Sequence, residues 1–379
     1  MLPRERVAAA MRRRPVDRVP VMCQMAIGHI CLNTRVSPVD LWHDTATYAD
    51  ALFAMRALYD FDGILVSVPG SDPEWRGKIA SADERDEGIV VSWCEPLENH
   101  SPYPIGARTL YPPHDLPSPL DGFALPALDT IEPGSVSTLA TVPEWMLGPV
   151  RAVVERSAGE FSVHGETFSP FDKLVELVGI EQAMLGLVDD PGRCHAILQR
   201  GVEYAANWGV AQIRAGVDAM KISSPYVGGG LLSPRYYDEF VVPYEAKLVA
   251  RLHAAGDAPV YTHTCGAIGD RLERMVSTGV DGIECLDPPP LGNVELADAK
   301  RRIGDRAFIK GNLDSVNTLL RKDPLGIAAD VQRCIEAGAP GGGFILSTAC
   351  SIAPNVPPEH IQAMVKAARE AVDTRPGAS

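Results

Sequence analysis

The sequence predicts an α/β protein folded as a single (β/α)8 TIM barrel, with a long insertion after the second strand. Three observations carry this. From residue 160 onward, short apolar runs alternate with longer amphipathic stretches, the pattern of repeated βα units. Counted over the whole chain, the strand-like runs number eight. No G-x-G-x-x-G follows any of them and no Walker A motif is present, which disfavours an open doubly wound sheet.

In chain order, residues 1–14 are basic and helix-like. They contain Glu5, lack Ser and run straight into Pro15-Val16-Asp17-Arg18-Val19-Pro20, so they read as the first helix and not as a transit peptide. The strands are expected at 19–22, 63–68, 161–165, 218–223, 258–263, 282–286, 307–310 and 343–346. Amphipathic stretches such as 270–278 and 324–337 lie between them, each ending near a glycine (Gly279, Gly338), as helix C-termini often do. Residues 69–160 interrupt the repeat. They are rich in proline and polar residues, with one strand-like run at 89–93, and read as an insertion with a small hairpin over the barrel mouth. Their apolar content is too thin for a core of their own. One domain, 1–379, is therefore expected, with a frayed tail at 372–379.

The chain has 379 residues, 46% of them hydrophobic, enough for a sizeable core, and no stretch approaches a membrane-spanning apolar run. Its net charge of −14 argues against nucleic acid as a partner, because phosphate binding wants clustered Lys and Arg. No secretory apolar segment is visible, which makes the cytoplasm the expected compartment. Cys23, Cys31, Cys94, Cys194, Cys265, Cys285, Cys334 and Cys350 are scattered without a C-x-x-C. They read as buried thiols with a few candidate metal ligands rather than disulfides.

In a barrel the chemistry sits at the C-terminal strand ends. Those ends carry Glu166, Ser223, Ser224, His263, Cys265, Cys285, Asp287, Asn312, Asp314 and Cys350. His263-Thr264-Cys265 is H-x-C, and residues two apart on a strand end point to one side. Cys350, at the end of the eighth strand, would complete a His/Cys/Cys set suited to zinc with one position open for substrate. The alternative is a chance pairing with an inert thiol. Cys285 competes with Cys350 as third ligand, but reads better as a buried interior cysteine. Ser223, Tyr226, Asp287 and Asn312 are the expected substrate-binding residues. Glu166 is the expected catalytic one, as a fourth ligand displaced by substrate or as a proton shuttle. A strand-end carboxylate paired with Arg or Lys is its plainer reading.

Residues 4–374 resemble the uroporphyrinogen decarboxylase superfamily. The resemblance is carried by Arg4-Glu5-Arg6-Val7, Asp17-Arg18-Val19-Pro20, Ser233-Pro234-Arg235-Tyr236-Tyr237-Asp238-Glu239-Phe240, His263-Thr264-Cys265-Gly266, Gly311-Asn312-Leu313-Asp314 and Ala353-Pro354-Asn355-Val356-Pro357-Pro358-Glu359, in that order. It implies one β/α barrel. The decarboxylases' M-R-Q-A-G-R run, whose arginines hold propionates, is here Met22-Cys23-Gln24-Met25-Ala26-Ile27-Gly28. Their F-S-D-I is Val66-Ser67-Val68-Pro69, without an acid, and their N-L-G-H-G is Ser347-Thr348-Ala349-Cys350-Ser351. These departures resemble the corrinoid-linked methyltransferases, whose H-x-C and distant Cys match His263, Cys265 and Cys350. The resemblance implies zinc and methyl transfer between a corrinoid and a thiol, folate or methoxy substrate. With no D-x-H-x-x-G motif in the chain, any cobamide would arrive on a partner corrinoid protein. A decarboxylase or lyase acting on a small acid, and a non-catalytic barrel that binds a corrinoid or tetrapyrrole, stay open as alternatives, as does a homo-oligomer.

Overall fold

The computed structural model describes residues 1–98, 105–122 and 124–371; the expected tail at 372–379 lies outside the described residues. Its strands are β1 (Gly63–Val66), β2 (Ile79–Arg85), β3 (Gly88–Trp93), β4 (Arg108–Tyr111), β5 (Ser118–Pro119), β6 (Ser162–Phe168), β7 (Ala219–Ser223), β8 (Val260–Thr264), β9 (Gly282–Cys285), β10 (Phe308–Leu313) and β11 (Phe344–Thr348). Seven of them form one curled parallel sheet in the order β1-β6-β7-β8-β9-β10-β11. Helices connect successive strands, and β1, β7, β8, β9, β10 and β11 are buried along their whole length. That explains why they read as apolar runs rather than alternating ones.

The helices begin where the chain offers a cap followed by proline. Ser169, Asp190, Ser233 and Asp323 each accept a backbone N–H of the first turn, with Pro170, Pro191, Pro234 and Pro324 next in sequence. Gly279 ends its helix region at φ 94°, where a glycine is favoured. Gly338 does not act as a cap: it stays helical in Pro324–Gly338. A Cβ there would meet the Phe344 ring at 2.6 Å, so close packing is what requires glycine.

Segment 19–22, expected as a strand, makes only a single parallel bridge, Val21 to Leu346 of β11. Pro20 has no N–H to give a ladder. Its carbonyl accepts from Leu346 N at 2.9 Å and Met22 N donates to Leu346 O at 3.0 Å, while Asp62 N, just before β1, donates to Val21 O at 2.8 Å. The segment thus touches both edges of the sheet. Asp62 fixes it there. Its buried carboxylate accepts from Arg6 at 2.6 Å, from both Arg18 terminal nitrogens at 2.9 and 2.8 Å, and from Val21 N at 2.8 Å.

Between β1 and β6 the chain forms a second, antiparallel sheet, β2-β3-β4-β5, larger than the hairpin read from 89–93. Its inner residues Val91, Trp93 and Tyr111 belong to the same buried cluster as Val39 and Trp42 of the first helices. His43 docks it, with Nε2 2.8 Å from the Tyr111 hydroxyl and its ring against Trp75 and Trp93. Among the described residues no helix is long and apolar enough to cross a membrane.

Asp62→Ala would leave Arg18 without this carboxylate and the buried Arg6 with Asp17 alone. It is expected to cost about 3 kcal/mol in urea unfolding. Glu144→Ala, which breaks an exposed pair with Arg151, should cost less than about 1 kcal/mol. Equal effects would show that the clamp does not hold the segment.

Candidate metal centre

β8 ends in His263-Thr264, and Cys265 follows, so the two potential ligands emerge on one side. His263 Nε2 lies 3.3 Å from Cys265 Sγ, which in turn lies 3.7 Å from Cys350 Sγ, past the end of β11. One ligand atom each from His263, Cys265 and Cys285 falls within 4.8 Å of the others. Cys285 is buried, as expected, but it is not a bystander. Cys285 and Leu286 both have positive φ, 87° and 57°, which breaks the strand's alternation at its end and leaves the Cys285 thiol beside Cys265 and His263. Tetrahedral zinc with ordinary bond lengths would hold two sulfurs about 3.8 Å apart, and a nitrogen and a sulfur about 3.5 Å apart. The spacings found are 3.7 and 3.3 Å, and the donors are soft thiols with an imidazole, so the residues fit zinc.

Beneath the thiols lies a row of buried charge set by strand register. Glu166 pairs with Lys221, His263 with Glu284, and Glu284 with Lys310 across neighbouring strands. Lys221 Nζ is 3.0 Å from Glu166 and 3.4 Å from Glu284, and it donates to Gln24. Lys310 Nζ is 2.5 Å from the other oxygen of Glu284. Two ammonium groups and two carboxylates therefore balance where an unpaired charge would be costly. Glu284 also holds His263 Nδ1 at 3.0 Å. The ring donates there, which turns the Nε2 lone pair toward the thiols.

The electrostatics follow. Burial opposes ionisation of Glu284, but Lys310, Lys221 and His263 outweigh it and keep the carboxyl well below its usual range. Hydrogen bonds from Cys285 and then Cys350 pull Cys265 down to about 4, against burial. Burial pushes Cys285 up, and the bond to Cys265 pushes Cys350 up. Of the three thiols, Cys265 is thus the one most readily ionised.

A cavity of about 370 Å³ opens onto this cluster, lined among others by Gln24, Ser67, Glu166, Ser223, His263, Cys265 and Cys350. His114, Asp115 and Leu116, from the β4–β5 connection, line it too. The structure thus gathers Glu166, Ser223, His263, Cys265 and Cys350. Ser223 donates to Glu166 at 2.5 Å, and Glu166 is paired with Lys221, the plainer of its expected settings. Tyr226 follows Pro225, a lining residue, and is 37% exposed. Asp287 accepts from Gly266 N at 2.6 Å and from Cys285 Sγ at 3.3 Å, so it clamps the ligand loop. Asn312 is not brought to this cavity: its amide is committed to the Leu286 carbonyl at 3.0 Å, and it lines a separate cavity of about 410 Å³ beside Asp314 and Cys334. Sequence reasoning missed Lys221, Glu284 and Lys310. The signal was there, a lone charge inside an apolar strand, as in Met220-Lys221-Ile222 and Ile309-Lys310-Gly311.

The model of the uroporphyrinogen decarboxylase (URO-D) family matches residues 127–371. The chain is 27% identical to a uroporphyrinogen decarboxylase of Hydrogenovibrio crunogenus, over 97% of each. It is 25% identical to the methylcobamide:CoM methyltransferase MtaA of Methanosarcina barkeri, over 96% of this chain and 97% of that one. A solved methyltransferase from Methanosarcina mazei superposes with TM-score 0.71 at 20% identity, over 98% of this chain and 99% of the other, a likeness of fold. With a family model spanning well over half its length, the chain belongs to the uroporphyrinogen decarboxylase family.

Proposed function

We propose that this chain is a zinc-dependent methyltransferase. It moves a methyl group between a corrinoid, or another methyl donor, and a thiol, folate or methoxy substrate. The observation that carries the reading is the thiol cluster: His263 and Cys350 each stand at zinc-like spacing from Cys265, Cys285 lies within 4.8 Å of His263 and Cys265, and a substrate-sized cavity opens onto them. The methyltransferase relative supports it, as does the lack of any arginine in Met22–Gly28 to hold a polycarboxylate. His263, Cys265 and Cys350 would be the zinc ligands, with Cys285 adjoining. Bound there, zinc would supply Lewis acidity, lowering a substrate thiol's pKa or polarising a leaving oxygen.

The chain's own residues do the rest. Glu284 fixes the tautomer and orientation of His263. Glu166, held by Ser223 and Lys221 at the cavity wall, takes the proton from the incoming substrate. Ser223 and Tyr226 contact the substrate, while Asp287 and Asn312 hold the strand ends around it. Segment 19–22 takes the eighth position of the barrel, and residues 69–160 cover its mouth, a reading supported by the place of residues 114–116 in the cavity wall. The cobamide would come on a partner corrinoid protein. The eight free cysteines suit the cytoplasm.

Metal analysis should find about one zinc per chain, and Cys265→Ala and Cys350→Ala should each weaken binding by well over tenfold. Unchanged metal content in both variants would sink the assignment. Glu166→Gln should keep most of the zinc and lower turnover by roughly 10²-fold, the usual size of a general-base contribution; turnover unaffected by this change would leave Glu166 with only its pairing role. Uroporphyrinogen incubated with the protein should keep its carboxyl groups. Coproporphyrinogen above a no-enzyme control would overturn the choice against decarboxylation.

A further inference from the structure

The charges around the cavity say what sort of molecule can enter it. Among the described residues that line it, Glu166 and Asp115 are acids and none is Lys or Arg. His114 is the one lining residue outside the thiol cluster that could become cationic, and it stands beside Asp115 at the rim. The remaining wall is largely apolar, with Met25, Ile27, Val68, Leu116, Phe168 and Pro354.

Cations in the adjoining walls are already committed: Arg56, in a chamber that shares Met25 and Ser67 with the cavity, donates to the Phe61 carbonyl at 3.0 Å. Lys221 has no solvent exposure, and its ammonium is shared among Glu166, Glu284 and Gln24. An adjoining chamber shares Ser67, Glu166 and Phe168 with the cavity and does contain Lys173. That lysine is 3.1 Å from Glu176 and lies over the Tyr204 ring at 4.2 Å. A carboxylate, sulfonate or phosphate entering the cavity would lose its hydration beside Glu166 and find no counterion, and an unpaired buried anion is strongly disfavoured. A cation gains little from Glu166, which Lys221 neutralises, and would meet only Asp115, in the exposed 114–116 loop, in a wall that is otherwise mostly carbon.

We infer that the small molecule whose methyl group or thiol reacts here is uncharged: a compact, mainly apolar methyl ether or thiol with no acidic or ammonium group. The identity of the reacting group rests on the methyltransferase reading; the charge rests on the cavity alone. The absence of a cationic handle separates this site from one built to hold acids, and it limits any phosphate-bearing cobamide to the cavity mouth.

Matched probes test it. Calorimetry on the zinc-loaded protein would compare a methoxyphenol with the methoxybenzoate of the same ring, and mercaptoethanol with mercaptoethanesulfonate. A trimethylanilinium salt supplies the cationic arm. The neutral member of each pair should bind at least about tenfold tighter. Ile27→Arg on the wall, or Leu116→Arg at the rim, should narrow or reverse that preference by giving the anion a partner. Zinc content reports whether each variant has kept its fold. Equal or tighter binding of the anion or the cation by the unmodified protein would overturn the inference, as would no binding of either neutral probe. Neutral probes that bind but exchange no methyl group with an added cobamide, methylated for the thiol and reduced for the ether, would instead overturn the methyltransferase reading.

Discussion

The structure turns on the buried ammonium of Lys221. It has no exposure to water, and its partners come from three places: Glu166 on β6, Glu284 on β9 and Gln24 in the segment that touches both sheet edges. With Lys310 added, the charges cancel in pairs. A strand slipped by one residue would turn its charge outward and leave the others unpaired in the interior. Apolar packing among β-branched strands tolerates small errors of register. This network does not, and it therefore specifies how the strand ends line up.

That alignment is what makes the thiol cluster possible. Glu284 is shared between structure and site: one oxygen meets Lys310, the other holds His263. The imidazole cannot swing away without releasing a carboxylate held well below its usual pKa by the two lysines. Cys265 then follows from the two-residue spacing on β8, and Cys350 from the place of β11 beside the N-terminal segment. His263 and Cys285 stand on strands, and Cys265 and Cys350 directly past strand ends, while a longer loop supplies Asp115 and Leu116. Precision is thereby placed where metal binding needs it, and adaptability where substrates enter.

Much of this was legible in the sequence. The parallel strands were marked by apolar runs between helical stretches, and the H-x-C by its own spacing. Other features were hidden for physical reasons. Segment 19–22 looks like a strand because it is apolar, yet Pro20 cannot serve a ladder, and only the partners across the sheet edges show where it lies. Cys285 alternates correctly for an interior thiol until its positive φ changes its direction, and no propensity argument anticipates that. Asn312 has a polar side chain at a strand end, as a substrate contact should, but the Leu286 carbonyl claims it first. The buried lysines were visible only as anomalies, charges in apolar strands whose partners sit dozens of residues away.

Relatives named for decarboxylation and for methyl transfer both match nearly the whole chain, so one fold carries both names. The row of charge beneath the site, the strand register and the apolar packing are indifferent to what happens at the strand ends. At those ends a handful of side chains decides. An arginine-rich segment after the first strand would make the cavity a receptor for carboxylates; Met22–Gly28 makes it a mostly neutral wall. The thiol of Cys350 stands 3.7 Å from Cys265, where a histidine would give a harder, less anionic donor set. With zinc bound as proposed, the two departures suit each other: a wall without arginines holds no polyanion over the thiols, and the thiols give that mostly neutral wall its reactive group.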